Sequence, residues 1–477
     1  MMQTALFCDF YALTMAQGYW KKNMVRKSVF EMFFRKHPFQ GGFSIFAGLQ
    51  PLLEKLADFS FSADDIAYLR SLAFFEDAFL DYLADFRFTG TVHAMEEGTV
   101  VFPQEPLVRI TGNLIECQLV EGLVLNTINF QSLIATKTAR VYLAAQNGLI
   151  MEFGLRRAQG EDGALSATRA SIIGGAAGTS NVLGGKKFGV KVMGTMAHSW
   201  VMAFGSEEEA FAAYAAIYPQ HPVFLIDTYD TLNSGVKNAI KVGKQIVERG
   251  GNFGVRLDSG DLYYLTSEVR KALDKEGLQK ATIAVSNDLD EDIIEALVQQ
   301  GAPINSWGVG TRMVTGGNEA AFTGVYKLAA FETLAGTMMP TIKFSDNPEK
   351  TTNPAIKQVL RLRDKQGATS DILIIDGEDD IQEGGVYVFW HPSADYRHFR
   401  TAVVQKPQPL LTKKMEHGKI LSDGKSLLDI QKHTFESLAE FDETYKRHLN
   451  PHIFKVSVTE SLRNLKLGLL KEHLGER

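Results

Sequence analysis

Cysteine is almost missing from this chain: Cys8 and Cys117 are the only two in 477 residues. So few thiols exclude a disulfide scaffold, and without a CxxC or Cys/His run there is no structural zinc motif. Long apolar runs are missing too. The best, LVEGLVLNTINF, is interrupted by Glu121, Asn126 and Asn129, well short of the ~20 residues that span a bilayer. The opening MMQTALFCDFYALTM lacks the basic and then apolar stretches of a signal peptide. Nor is there an excess of positive charge: 50 Lys and Arg against 56 Asp and Glu give a net charge of −6 and a pI near 6.0. Nucleic-acid binders draw much of their affinity from a basic surface, so neither nucleic acid nor a membrane is expected as a partner. Low-complexity tracts and short repeats are absent as well. A soluble protein of a reducing compartment, the cytoplasm, is the expectation.

What is present is the composition of a folded chain, 45% hydrophobic and 22% charged, long enough for two or three domains. Residues 1–112 are rich in Phe and Tyr, with strand-like segments such as Val29–Phe34 (VFEMFF). From Leu114 to Gln146 only Gly122 breaks a run free of Gly and Pro, and Leu119, Leu123, Ile128 and Leu133 recur at helical spacing. The pattern predicts one long helix or two abutting ones, stopped at Asn147-Gly148. Beyond Lys343 the segments VLRLRD, ILIID and VYVFW read as a β-rich region.

The middle of the chain repeats one motif six times, a short apolar run ending abruptly in polar or glycine residues. These are LIMEFGLRR (149–157), VKVMGTMAH (190–198), VFLIDTYDT (223–231), FGVRLDSGD (253–261), TIAVSNDLD (282–290) and SWGVGTRMV (306–314). Helical stretches lie between the later ones, with Val236, Ile240 and Val247 on one expected inner face and Ile293 and Leu297 on the next. Asp227 and Asp258 stand 31 residues apart, and Asp258 and Asn287 stand 29 apart, which suits strand-plus-helix units and a parallel sheet. In such folds the chemistry collects at the carboxyl ends of the strands. Here that edge gathers Glu152, Arg156, Arg157, His198, Asp227, Asp230, Arg256, Asp258, Asp261 and Asn287.

Each candidate has a plainer structural explanation beside the functional one. The glycine-rich stretch IIGGAAGTSNVLGGKKFGVKV suits phosphate contact or simply tight packing, and glycine content alone favours packing. Gly308-Val-Gly310-Thr311 follows a strand, and a strand, glycine turn and hydroxyl together suggest a phosphate cup. GKILSDGKS fails as a P-loop because Lys419 stands where the first glycine belongs. His198 in GTMAHSW is either structural or, with Asp227 orienting the imidazole, a base or phosphoryl acceptor. Arg256 and Asp258 lie two apart on a strand and share a face; they form a local ion pair, or bind an anion and a diol or metal. Phe153 and Tyr11 are core aromatics or a sandwich for a flat ring, and Arg35 is a surface cation or a phosphate ligand.

The segments FCDFYALTMAQGYW, FEMFFRKHPFQGGFSIFAGL, the long block from EFGLRRAQG to GTMAHSW, LIDTYDT, VRLDSGDL and GVGTRMVT resemble the nicotinate phosphoribosyltransferase family, in the family's order over most of residues 5–330. The resemblance implies an irregular TIM-like α/β barrel with a second α+β domain formed from the N- and C-terminal segments. On that basis the chain divides into 1–112, a linking helix at 113–148, a barrel at 149–342 and a β-rich segment at 343–477 that packs with the N-terminal domain. It also implies a head-to-tail homodimer with the active site at the interface. The implied reaction joins nicotinate to 5-phosphoribosyl 1-pyrophosphate (PRPP) with Mg²⁺, in NAD salvage, coupled to ATP hydrolysis through a phosphohistidine.

Carried over residue by residue, His198 becomes the phosphorylated histidine and Asp227 its partner. Thr195, Ser199, Phe153, Arg156 and Arg256 surround nicotinate, and Asp258 holds the ribose diol. Gly308, Gly310 and Thr311 cradle the 5′-phosphate. Tyr11 and Arg35 reach in from the neighbouring subunit, the first stacking on the ring and the second touching phosphate. The metal ligands are left open. Three alternatives stand beside this assignment: a nicotinamide-specific relative, an isomerase or aldolase on a regular barrel, and an inactive binding homologue. The aldolase would want a lone lysine at a strand end, and the middle strands offer none.

Overall fold

A computed structural model describes residues 5–146, 148–347, 350–378, 381–394, 396–421 and 424–474. Asn147 of the expected helix stop, Pro348 and Glu349 of SDNPEKTTNP, and Ser422 and Asp423 of GKILSDGKS lie outside them. The chain forms two compact units, one spanning Ile134–Ala320 and the other combining the segments before and after it. Among the described residues no helix is long and apolar enough to cross a membrane.

The unit built from both ends of the chain is α+β. Its strand Lys27–Phe34 pairs antiparallel with Val108–Asn113 on one side and with Gly324–Glu332 on the other, so early and late segments share one sheet. A large core rich in phenylalanine, with Phe34, Phe46 and Phe79 fully buried, packs beside it. A further sheet contains the antiparallel pair Lys357–Arg363 and Ala368–Ile375, which a parallel strand, Lys455–Val458, extends. The expected helical stretch after Leu114 is two abutting helices, Leu114–Leu119 and Glu121–Ala144. Leu119, Leu123, Ile128 and Leu133 are all buried, as their spacing requires.

The unit Ile134–Ala320 carries six parallel strands, hydrogen-bonded in the order Gly178–Thr179, Leu149–Glu152, Ser306–Val309, Thr282–Val285, Gly254–Leu257, Val223–Leu225. The last strand in sequence pairs with the first, Val309 opposite Glu152. An open doubly wound sheet does not need that pairing, whereas a barrel closes through it. Val192 adds a parallel bridge to Thr179. Among the described residues no backbone pairing joins this edge to Val223–Leu225, so the barrel is irregular, with one seam. Helices Val236–Glu248, Leu262–Lys275 and Glu291–Gln299 make the crossovers.

Two local expectations are corrected. VKVMGTMAH is not a strand: it contributes only the bridge at Val192, and the regular strand is Gly178–Thr179. Gly178 lets the two segments come close, since a Cβ there would meet Lys191 O at 2.7 Å and Met193 Sδ at 2.7 Å. The expected inner faces of the crossover helices hold only in part, with Val236 and Leu297 buried as expected. Val236, Ala239, Val242 and Gly243 are buried while Val247 and Ile293 are exposed. A Cβ on Gly243 would stand 2.3 Å from the Phe253 ring, so glycine lets that ring seat the helix close to the sheet.

Candidate active site

Because the six strands are parallel, their carboxyl ends share one edge, and the loops leaving it place most of the predicted residues. Three of the edge carboxylates have local duties. Asp230, Asp261 and Asp290 each accept hydrogen bonds from backbone amides two or three residues on and so cap the following helical segments. Of the remaining polar groups, Asp227, Asp258, Arg256 and His198 form one cluster.

Arg256 is the centre of the cluster. One terminal nitrogen donates to Thr195 Oγ1 and the other to Met196 O at 3.1 Å. Its Nε is buried and has no hydrogen-bond partner. Burial lowers the Arg256 pKa, Asp258 and Asp227 oppose that, and Arg156 adds to it. Arginine remains cationic throughout the working pH range, so a partly desolvated positive charge is held beside two carboxylates. Such a charge attracts an anionic ligand more strongly than one in open water does.

His198 opens the short helix His198–Met202. The motif order paired it with Asp227, and the structure corrects this. Nδ1 lies 3.1 Å from Thr228 Oγ1, and Nε2 lies 3.9 Å from Asp258 Oδ2. Asp227 instead accepts from Asp258 N at 2.8 Å and Ser259 Oγ at 2.7 Å through Oδ2, while its buried Oδ1 has no partner. Strand geometry causes the difference: Asp227 and Asp258 follow neighbouring parallel strands, in which Leu225 lies opposite Arg256. Asp258 also accepts from Ser286 Oγ. Trp200, two residues past His198, donates to Ala210 O at 3.0 Å and packs on Phe204, pinning the helix that carries the imidazole.

On the other side of the edge, Glu152 is buried and accepts from Gly154 N at 2.5 Å, Thr179 Oγ1 at 2.5 Å and Thr168 Oγ1 at 3.2 Å. This ties down the turn that presents Phe153 and Arg156. The Phe153 ring fills the space beside Gly308, where a Cβ would come within 2.6 Å of it. Gly308 is therefore buried within its strand, while Gly310 and the exposed Thr311 start the next helical turn. The Thr311 and Arg312 amides open that turn without acceptors inside it. Ser199 and Arg156 are exposed.

Tyr11 and Arg35 belong to the other unit. Burial, with help from Glu121, pushes the Tyr11 phenol up to about 12. Arg35 is half-buried, and its backbone N–H donates to Thr323 Oγ1 at 3.3 Å. Three groups that sequence patterns did not single out complete the cluster: Thr228, Ser286 and the Met196 carbonyl. Their only signal was adjacency, since Thr228 follows Asp227 and Ser286 precedes Asn287. The glycine-rich stretch resolves as packing, for a Cβ on Gly174 would meet Ala135 O at 2.4 Å.

Family models agree with this architecture. Residues 6–129 match the nicotinate phosphoribosyltransferase N-terminal domain, 149–368 the nicotinate phosphoribosyltransferase family and 356–466 its C-terminal domain. The chain is 39% identical over 472 residues to a nicotinate phosphoribosyltransferase of Bacillus subtilis, covering 98% of this chain and 95% of the relative. The one from Dictyostelium discoideum is 36% identical, with 96% and 87% covered. Among solved structures, human nicotinic acid phosphoribosyltransferase superposes with a TM-score of 0.83 at 30% identity, covering 97% of this chain and 99% of that one. With the barrel, its strand-end cluster and these matches together, the chain belongs to the nicotinate phosphoribosyltransferase family.

Proposed function

We propose that this chain joins nicotinate to PRPP, releasing nicotinate mononucleotide and pyrophosphate, with ATP hydrolysis coupled through phosphorylation of His198, in cytoplasmic NAD salvage. The observation that carries the proposal is Arg256, positioned by Thr195 Oγ1 and Met196 O with its Nε unpartnered. A guanidinium fork matches a carboxylate, and nicotinate differs from nicotinamide in carrying one.

Displacement at C1 of PRPP passes through a cation-like ribose and asks for orientation and charge stabilisation more than covalent help. Arg256, with Thr195, grips the pyridine carboxylate. Phe153 offers a face to the ring, and Arg156 and Ser199 supply a further cation and hydroxyl at the rim. Asp258, oriented by Ser286, accepts from the ribose hydroxyls. Gly310 and Thr311 offer backbone and hydroxyl donors to the 5′-phosphate, and Gly308 makes room for Phe153. In the active form, a head-to-tail homodimer, Tyr11 and Arg35 come from the neighbouring copy.

With His198 Nδ1 hydrogen-bonded to Thr228, Nε2 is the nitrogen free to take the γ-phosphoryl of ATP as ADP leaves. Among the described residues no cluster of three His, Cys, Asp or Glu is arranged to hold a metal. Asp258 and the unpartnered Oδ1 of Asp227 fit a cation carried in on substrate phosphates. Mg²⁺ bound there would neutralise charge on the pyrophosphate.

The test is product analysis with nicotinate, PRPP and Mg²⁺, with and without ATP. Nicotinate mononucleotide is expected, with ATP raising the yield, and His198→Ala should abolish the ATP effect. Absence of product, or an ATP effect that persists in His198→Ala, would contradict the proposal.

A further inference from the structure

His198 and Thr228 stand 30 residues apart in sequence, yet Nδ1 of one lies 3.1 Å from Oγ1 of the other. One hydrogen bond does not keep two loops in register. The helix Glu207–Ile217, to which the proposed reaction gives no role, grips both of them. On the histidine side, Trp200 Nε1 donates to Ala210 O at 3.0 Å. The Trp200 ring packs on Phe204 and also on Tyr214 of the same helix, the latter with ring centres 5.8 Å apart. On the Thr228 side the grip runs through Glu207, the first residue of the helix. Its Oε2 accepts from Ser234 Oγ, and from Asn238 Nδ2 at 3.1 Å.

Ser234 belongs to the helical turn Thr231–Gly235 that follows Thr228, and Asn238 to the crossover helix Val236–Glu248. Gly235 seats this turn on the strand end, since a Cβ there would collide with Ile226 O, one residue before Asp227. Glu207 is buried, and its Oε1 has no hydrogen-bond partner. Burying a carboxylate with one oxygen unpaired is costly. Capping does not account for it, because the side chain that caps this helix is Ser206, which accepts from Glu209 N at 3.1 Å. What the Glu207 carboxylate does make is the bridge between the two loops.

We infer that Glu207 is a positioning residue for His198. Through Ser234 and Asn238 it fixes the segment that bears Thr228, and through the helix it begins it fixes Trp200, so the imidazole is held in one orientation. Which ring nitrogen carries the proton is set by the bond that the other makes, and a small displacement of a reacting group lowers its rate steeply. The effect on the reaction rests on the proposed phosphorylation of His198; the effect on the imidazole itself does not.

Two measurements on the full-length protein keep these apart. The first needs no ATP: NMR of the histidine ring nitrogens, with His198 assigned by its loss in His198→Ala, reads which nitrogen is protonated. The second follows transfer of label from γ-labelled ATP to His198. The proteins compared are wild type, Glu207→Gln, Glu207→Ala and Ser234→Ala, each checked by a melting curve. Glu207→Gln keeps an oxygen that accepts from both donors, so its ring-nitrogen shifts should match wild type and its labelling rate should stay within about twofold. Glu207→Ala should move the shifts towards the average of the two tautomers and slow labelling about tenfold. Ser234→Ala removes one donor only and should change both in the same direction by less, which keeps the test alive should Glu207→Ala not fold. Unchanged shifts in the folded alanine variants would overturn the inference, and so would a Glu207→Gln protein as impaired as Glu207→Ala. If wild type takes up no label while the shifts still respond to Glu207→Ala, the phosphorylation reading fails and the positioning of His198 stands.

Discussion

At the scale of single residues, the site depends on a few groups held by partners that leave them little freedom. Arg256 is steered by a hydroxyl and a carbonyl, Asp258 by Ser286, and His198 by Thr228. Gly308 shows how tight the arrangement is, since a methyl there would press on the Phe153 ring at 2.6 Å and on Ser286 Cβ at 3.2 Å. Both neighbours belong to the proposed site. Gly308→Ala should therefore raise KM for nicotinate about tenfold or more, while costing roughly 1–3 kcal/mol of stability from overpacking. Steady-state kinetics and thermal melting measure the two effects, and unchanged KM would show that Phe153 does not bear on the substrate. His198, Arg256 and Asp258 were legible in the sequence because each closes an apolar run. Ser286 and Thr228 were not, because hydroxyls at strand ends are common and their role appears only once neighbouring strands align. The Asp227–His198 pairing failed for the same reason: register, not sequence distance, decides which carboxylate faces the imidazole.

Elements from distant parts of the chain are joined by buried polar groups as well as by apolar contact. In the unit built from both ends, Arg361 makes a two-pronged bond to Asp371 at 2.9 and 2.6 Å and donates to Val100 O at 2.8 Å. Glu105 lies in the same buried cluster and accepts from Phe102 N at 2.9 Å. Desolvation first, and then the Asp371 charge, hold the Glu105 carboxyl well above its ordinary value of 4.5. A folded-state value raised in this way contributes stability that is complete below the unfolded value and is lost as pH rises through the folded one. Replacing the acid by a neutral isostere removes that dependence. Glu105→Gln should melt close to wild type near pH 4.5 and progressively higher than wild type as pH rises. Melting curves across that range check it, and a constant gap between the two proteins would show that Glu105 does not titrate as described. Local patterns foretold the paired helices around Leu119 and Glu121, but not the inner face of Val236–Glu248. Gly243 turns inward because the Phe253 ring needs its space, and hydrophobic spacing carries no such information.

At the scale of the whole molecule, the repeated strand-plus-helix spacing announced a parallel α/β unit, and the pairing of its last strand with its first makes that unit a barrel. The seam beside Val192 was hidden, because glycines and short apolar runs look alike in a sequence whether or not their backbones pair. Shared pairing of Lys27–Phe34 with Gly324–Glu332 likewise joins the two ends of the chain in one sheet, and no local pattern could reveal it. The barrel matters because it brings Thr195 and His198, from one loop, together with Arg256 and Asp258, from the end of the strand Gly254–Leu257, at one edge. The central claim is that this edge selects a pyridine carboxylate through the Arg256 charge. The direct measurement is kcat/KM for nicotinate and for nicotinamide in wild type and in Arg256→Gln. Losing a charged hydrogen bond worth roughly 1.5–3 kcal/mol should cut nicotinate turnover by about tenfold or more and leave nicotinamide nearly unchanged, so the preference for the acid collapses. An unaltered ratio between the two substrates would contradict the claim.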